Sequence, residues 1–458
     1  LEEPVSLEKQ ASPLIALKRR NVAVASSFVH HFDVYMALVW TLESVLSNEG
    51  SHSIRVFAHP FNYGFQTVVE KLGLYQGARG LPDDFIPYLI SEVGAAVDVV
   101  VLGTCEFEYV LHLSRAVVLI RWLILSQSLR SWHTELLSAW DMRPQAQKFQ
   151  LVCMVHNVKD TNWQSHITDW ARRGAIRLFP IGEQHVFNEH ADSTDVSMYT
   201  AGYENIPIDV YAPVLNIPDL PQKDLGRVLS KAVIQGSFDV GRRDYPRFLA
   251  DLVSSFHEDP ESWGYHPLEG RASFVPNHRS PEPPFELAIV GSGALQIPQV
   301  LAYVITVYHD VDYDQFYKLI ASMDIVVPAF ADFGYYEDQA SSTIALAVEL
   351  DIPILATKRM RQAYGYIDDD RVVVTRPAAM REVQALKALR TRNSTHFLAS
   401  DPAGDGRKMA DVPGLETAVQ KMITQGWARQ KEAVTQYKKE LWGNNGKVVE
   451  HLLEFDQP

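Results

Sequence analysis

The sequence predicts an α/β protein of two doubly wound, Rossmann-like halves followed by C-terminal helices, and three observations lead there. Short, largely apolar runs rich in Val, Ile and Leu alternate with helix-spaced segments along most of the 458 residues. That is the pattern of a parallel sheet covered on both faces. The alternation is interrupted once, by prolines 207, 213, 218 and 221 between Asn205 and Lys223, and then restarts. The composition is 47% hydrophobic and 21% charged, enough apolar material for sizeable cores and too much for a disordered chain.

In the first half, Val22 to Ser26 reads as a strand and Val34 to Leu46 as a helix, with His30, His31, Phe32 and Asp33 between them. Ser53 to Ala58 and Ala96 to Leu102 are further strands. Phe149 to Val155 is another, ending in His156-Asn157. A helix around Trp163 to Arg173 leads into a strand from Ala175 to Ile181. The proline-rich stretch is a crossing linker, because proline fixes φ and removes a donor. Beyond it come a strand, Ala232 to Gly236, and a helix, Tyr245 to Phe256. Glu258 to Pro284, rich in Pro, Gly and His, reads as a surface insertion. Phe285 to Val290, Val304 to Tyr308, Ile325 to Pro328 and Ile352 to Ala356 are strands with helices between them, and the chain after Pro413 is helical and polar. The domains expected are 1–205, a linker 206–223, a second domain 224–413, and helices 414–458 packing back on the first.

Charge and cysteine usage exclude several classes. Lys plus Arg is 42 and Asp plus Glu is 56, a formal net charge of −14 that disfavours nucleic acid or an anionic membrane as partner. No apolar run reaches the ~18 residues of a membrane helix; the nearest, Ala116 to Leu125, contains Arg121 and reads as a buried helix. Cys105 and Cys153 fit no zinc motif or disulfide scaffold; one bridge is allowed, and their place on neighbouring strand-like runs leads to the expectation of two buried thiols. There is no Gly-x-Gly-x-x-Gly after the first strand, no Gly-x-Ser-x-Gly elbow and no Gly-x-x-x-x-Gly-Lys-Ser/Thr loop. A nicotinamide enzyme, an α/β-hydrolase and a P-loop enzyme all lose support. The chain begins at Leu1 and carries one sequon, Asn393-Ser394-Thr395. A removed N-terminal signal or anchor, and a glycoprotein of the Golgi or ER lumen rather than the cytoplasm, are the resulting expectations.

The densest chemistry lies between Asp324 and Pro353. A strand ends at Pro328, a loop carries Glu337, and Ser341, Ser342 and Thr343 open a helix whose amides and hydroxyls suit a diphosphate. Glu337 stands where a carboxylate takes two hydroxyls of a ribose or sugar. Asp310-Val311-Asp312 offers either a metal-binding pair or, in a two-domain protein, a loop beside the nucleotide base; the second is preferred. Asp368, Asp369 and Asp370 read as a solvated turn. His30 and His31 sit at the carboxyl end of a strand, where doubly wound folds place ligands.

This order of motifs resembles the GT-B fold nucleotide-sugar glycosyltransferases. The matching pieces are Gly236 with Arg242 and Arg243, Val290-Gly291-Ser292-Gly293, Asp324 to Pro328, Glu337, Asp351-Ile352-Pro353, and the strand ending in His156-Asn157. The likeness is greatest to the retaining branch, whose hallmark is two glutamates separated by seven residues; counting back from Pro353 puts those positions on Leu346 and on Asp338 beside Glu337. The resemblance implies two Rossmann-like domains facing each other across a cleft, and transfer of a hexose from a UDP or GDP sugar to a hydroxyl of a glycan or other acceptor. It implies no metal and no cofactor beyond the donor. Arg242 or Arg243 would neutralise the leaving diphosphate. Gly236, Gly291, Tyr308, Glu337, Ser341, Ser342 and Thr343 would hold the donor. His156 would contact donor hydroxyls, and His31 or His30, oriented by Asp33, would be the general base used by inverting members. A sugar-nucleotide epimerase and a catalytically silent sugar-nucleotide or glycan binder are the alternatives.

Overall fold

The protein is described by a computed structural model over residues 20–47, 52–105, 128–157, 161–182, 206–268, 270 and 273–454. The segment Ala116 to Leu125 lies outside the described residues. The first half is a parallel six-stranded sheet of β1 (Asn21–Ser26), β2 (Ser53–Ala58), β3 (Arg79–Gly80), β4 (Val99–Leu102), β5 (Gln150–Val155) and β6 (Ile176–Pro180), in the order β3-β2-β1-β4-β5-β6. The second half contains β7 (Lys231–Gln235), a hairpin of β8 (Tyr265–Pro267) and β9 (Phe274–Pro276), then β10 (Glu286–Gly291), β11 (Ile305–His309), β12 (Ile325–Val326), β13 (Ile354–Ala356) and β14 (Val373–Thr375). Its parallel sheet runs β11-β10-β7-β12-β13-β14. Leaving out the hairpin, both sheets follow the same 3-2-1-4-5-6 sequence of strands. This is the order of a dinucleotide-binding Rossmann domain. The chain is therefore two Rossmann-like domains.

The central strands carry the Val, Ile and Leu runs and are buried throughout, as strands with helices on both faces must be. Local chemistry trims their ends. The expected strand from Ala96 starts only at Val99, because the Asp98 carboxylate accepts the Asn21 N–H (3.0 Å) and Gly94–Ala96 form a tight 3-10 turn. The strand expected from Ile352 starts at Ile354, since Pro353 has no N–H to give. The stretch from Glu258 to Pro284 is not a surface insertion as expected: Trp263, Tyr265 and Phe274 enter the second domain's core, and Arg390 fastens it by donating to the Ser262 and Pro283 carbonyls (2.8 and 2.6 Å).

The thiol expectation is also corrected. Cys105 and Cys153 form a disulfide with Cα atoms 5.3 Å apart, possible because Cys153 pairs with Leu102 across β4 and β5 and Cys105 lies just beyond that strand end.

One apolar cluster runs through both domains. Helix Phe32–Leu46 packs against the long terminal helix Lys431–Leu453, with the Trp40 and Trp442 rings 5.6 Å apart. Helix Phe65–Leu72 of the first domain meets helix Tyr313–Ala321 of the second through Phe65 and Tyr313, whose rings are 4.7 Å apart. The proline-rich stretch is laid over this cluster rather than left loose: Asn445 bonds both polar atoms of the Ala212 backbone, and Trp442 donates to Val214 O (2.9 Å). The exposed Asn393 carries the sequon.

Candidate active site between the two domains

Rossmann sheets bind ligands beyond the carboxyl ends of their strands, where the strand order reverses. In this chain the reversals fall between β1 and β4 and between β7 and β12. The loops after those strands supply most of the residues that follow.

His31 closes the loop after β1. It is the N-cap residue of helix Phe32–Leu46 and holds left-handed angles of φ 59 and ψ 29 without capping the helix by its side chain. Its ring stacks on that of His156, with centroids 4.8 Å apart. His156 follows β5, and its Nε2 lies 3.2 Å from the carbonyl oxygen of Gly103, which follows β4. Three strand ends thus converge on one imidazole pair. Nδ1 of His31 is buried without a hydrogen-bond partner. Burial holds the His31 imidazole well below its ordinary range, aided by His156, His30 and Arg242. Burial pushes His156 down to about 4, against the Gly103 carbonyl. Both rings are therefore uncharged at neutral pH. His30 is exposed beside them, with its own pKa lowered by desolvation.

Asp33 does not orient His31. Two residues apart on a helix, side chains diverge. The Asp33 carboxylate accepts local backbone N–H groups, and burial pushes it up to about 6. Its charge is felt by Tyr35, Tyr313, Tyr317 and Glu349 at the domain junction.

The facing side comes from the second domain. After β7, Gly236 takes φ +135, and a Cβ there would stand 2.8 Å from the Arg243 guanidinium. Gly291, at the end of β10, touches it so closely that a Cβ would overlap the Gly236 carbonyl oxygen. These two positions need glycine for close backbone approach. Tyr308 lies on the adjoining edge strand, paired with Val290 and half-buried.

Arg242 and Arg243, equivalent in sequence, have different surroundings. Arg243 is 3% exposed and donates to Ser341 Oγ (3.3 Å), Thr343 Oγ1 (3.1 Å) and the Gln235 carbonyl (3.3 Å). It braces the start of helix Ser342–Glu349 from below. Thr343 Oγ1 in turn donates to Gln235 Oε1 (2.5 Å), and the Ser341 N–H to the Tyr364 hydroxyl (3.0 Å). The hydroxyls of Ser341 and Thr343 are therefore committed to the fold. The half-buried Ser342 and the first-turn amides remain the anion-facing part of that helix start. Arg242 is half-buried, close enough to lower the pKa of His31.

Glu337 and Asp338 divide in the same way. Glu337 is 48% exposed and accepts from Arg359 Nη2 (2.6 Å), while Asp338 is buried. The loop between them and the helix closes the floor of the interdomain cleft: Ala340 N–H donates to the His156 carbonyl (2.9 Å), and Asn157 and Gln339 form an antiparallel bridge. Thus His31, His156, Arg242 and the Ser341–Thr343 helix start are neighbours, whereas Asp33 faces the junction and Glu337 the surface. Asp310 is exposed with φ 47, and Asp312 stands at the N-cap position of helix Tyr313–Ala321, beside Gly64, without a side-chain capping bond. Among the described residues no group of three or more His, Cys, Asp or Glu could hold a metal ion. No described helix is long and apolar enough to cross a membrane. Sequence reasoning did not single out Gly103, Tyr63 or Glu349; only Gly103, directly after an apolar strand, carried a local signal.

No family model matches the sequence, and no curated protein is found similar to it. Solved structures resemble it at low identity. An α-glucosyltransferase in complex with UDP and a 13-mer DNA is 9% identical, covering 93% of this chain and 100% of that chain, at a TM-score of 0.47. A lipopolysaccharide outer core galactosyltransferase is 9% identical, covering 94% and 99%, at 0.42. A UDP-N-acetylglucosamine 2-epimerase from Rickettsia bellii is 12% identical, covering 93% and 98%, also at 0.42. With scores under 0.5, no residue role or substrate is carried over from them, and the Rossmann assignment rests on the strand orders.

Proposed function

We propose that the chain is a glycosyltransferase that moves a hexose from a nucleoside-diphosphate sugar, UDP- or GDP-linked, to a hydroxyl of a glycan or other acceptor without a metal ion. The observation that carries this reading is the half-buried, uncharged His31, its buried Nδ1 unpartnered, set between two Rossmann domains within the field of Arg242. A neutral imidazole accepts a proton, and a cation beside a helix start meets the charge of a diphosphate.

His31 takes the proton of the acceptor hydroxyl. The new C1–O bond forms as the bond from C1 to the diphosphate breaks, and the diphosphate leaves with the electron pair. Arg242 and the first-turn amides at Ser342 stabilise the charge that develops there. His156, fixed by the Gly103 carbonyl, keeps the His31 ring in place and lines the sugar side. The imidazolium then returns its proton to water. A base on the acceptor makes this a single displacement, so the anomeric configuration inverts. Arg243 holds the helix start rather than the donor, and Glu337 reaches sugar hydroxyls only after releasing Arg359.

The first test is a thermal-shift panel of UDP, GDP and their sugars. A ligand at 100 times its Kd adds ~2.7 kcal/mol of stability. No shift with any nucleotide refutes the reading. Donor consumption that proceeds equally with and without acceptors replaces transfer by epimerisation or hydrolysis.

A further inference from the structure

The loop after β2 carries an exposed tyrosine in a backbone conformation that bulky residues rarely adopt. Tyr63 has φ 51 and is 41% exposed. Left-handed angles at an aromatic residue are uncommon and persist only where the surroundings impose them. They belong to a tight turn in which the Phe65 N–H donates to the Asn62 carbonyl (3.1 Å) and Tyr63 and Gly64 both take positive φ; the second domain holds that turn, the Tyr313 N–H donating to the Tyr63 carbonyl (2.8 Å) and Gly64 sitting against Asp312. A contact that joins the domains is therefore made by the backbone of the turn that carries Tyr63.

That ring lies nearly parallel to His30, with centroids 6.5 Å apart and planes 22° from each other. Phe28 meets His30 edge-on at 5.3 Å and His31 edge-on at 5.2 Å. Aromatic faces thus lead from the exposed Tyr63 to the imidazole with the unpartnered Nδ1. Desolvation keeps His30 uncharged at neutral pH, so its face is apolar.

We propose that Tyr63, His30 and Phe28 form the acceptor subsite, a stacking platform for the C–H face of a pyranose ring whose hydroxyl is presented to His31. This rests on the transferase reading above for the role of His31. A pyranose fits the site because it has one apolar face for the rings and a polar rim for the exposed Asn62 beside Tyr63. A lipid chain needs a continuous apolar groove, and the residues that flank Tyr63 in sequence, Asn62 and Gly64, are exposed and carry no apolar side chain. A peptide would be held mainly through its backbone along a sheet edge, and the edge strand beside this loop, β3, is only two residues long.

The test is saturation-transfer NMR on the full chain with UDP or GDP present. The probes are methyl α-D-mannopyranoside, methyl α-D-glucopyranoside and methyl β-D-galactopyranoside. Ring C–H protons of at least one probe should be saturated by the wild type. Tyr63→Ala and Tyr63→Gly should weaken that probe at least tenfold, while Tyr63→Phe retains it. Tyr63→Gly suits the left-handed backbone, so its loss reports the missing ring and not strain. The nucleotide-induced thermal shift should be the same in all these variants. No saturation of any probe by the wild type, or undiminished saturation in Tyr63→Gly, overturns the proposal. Sugar binding that survives in a protein without nucleotide binding or donor turnover would refute the transferase reading and leave the platform standing.

Discussion

Replacing Glu349 by glutamine should stabilise this protein, and by more as the pH rises. Glu349 ends helix Ser342–Glu349 at the domain junction and is 1% exposed. Its Oε1 accepts the Leu215 N–H (2.8 Å), and its Oε2 has no partner. Burial, and next the Asp33 charge, push its pKa from 4.5 up to about 8, against the Leu215 N–H and Lys438. The carboxyl is therefore protonated in the folded protein at pH 7 and ionised in the unfolded chain. A folded pKa above the unfolded one means that stability is complete below pH 4.5 and falls as the pH rises towards 8. At 1.36 kcal/mol per unit, the loss is roughly 3 kcal/mol by pH 7 and between 4 and 5 kcal/mol above pH 8. Glutamine keeps an acceptor for Leu215 and does not ionise. Denaturant unfolding of both proteins at pH 5, 7 and 8 measures the difference, and Asp33 cancels because both retain it. The variant should exceed the wild type by roughly 1 kcal/mol at pH 5 and by roughly 3 kcal/mol at pH 7. Parallel pH profiles for the two proteins would refute the reasoning, because Glu349 would then be ionised when folded.

Four further outcomes follow from the site. His31→Ala should lower kcat by ~10²–10⁴ while the nucleotide thermal shift persists. In the wild type the acid limb of kcat/KM should fall below pH 6.5, since the base is the unprotonated ring and its pKa is lowered. The two arginines should separate: Arg242→Ala should lose donor binding, and Arg243→Ala should lower the melting temperature by leaving Ser341, Thr343 and Gln235 without their donor. Reducing the disulfide, or Cys105→Ser with Cys153→Ser, should cost ~4 kcal/mol by loop entropy for a separation of 48 residues. It should also reduce turnover, because Gly103, whose carbonyl meets His156, lies two residues before Cys105, and the Cys105 N–H donates to Met154 O, two residues before His156.

Much of the fold was legible because most central strands are continuous apolar runs. Val22 to Ser26, Phe149 to Val155 and Phe285 to Val290 each emerged within a residue or two of β1, β5 and β10. β3 is only Arg79–Gly80 and has no run to read. β14 follows a charged turn at Asp368 to Arg371 that masked Val373–Thr375. The reversal of strand order is set by crossovers and has no local signature. At the site, alternation placed His31 and His156 in strand-end loops, but their ring contact joins residues from different strands and is a property of the assembled sheet. Asp33 was misassigned because nearness in sequence is not nearness on a helix. Arg242 and Arg243 were inseparable because they follow each other in a turn in which both N–H groups donate to the Asp239 carbonyl, and only the fold says which side chain the helix start takes.

The disulfide has a consequence for the order in which the molecule is made. Both cysteines precede residue 206, and the strands that bring them together belong to one sheet. The bond can therefore close on a nascent chain whose second Rossmann domain has not yet been synthesised, since domains fold as units from the N-terminal end. Its closure would set the Gly103–His156 contact before Arg242 or the Ser342 helix exists to face it. The imidazole half of the cleft is then a template on which the later half docks, and an oxidising compartment during synthesis decides whether that template is ready in time.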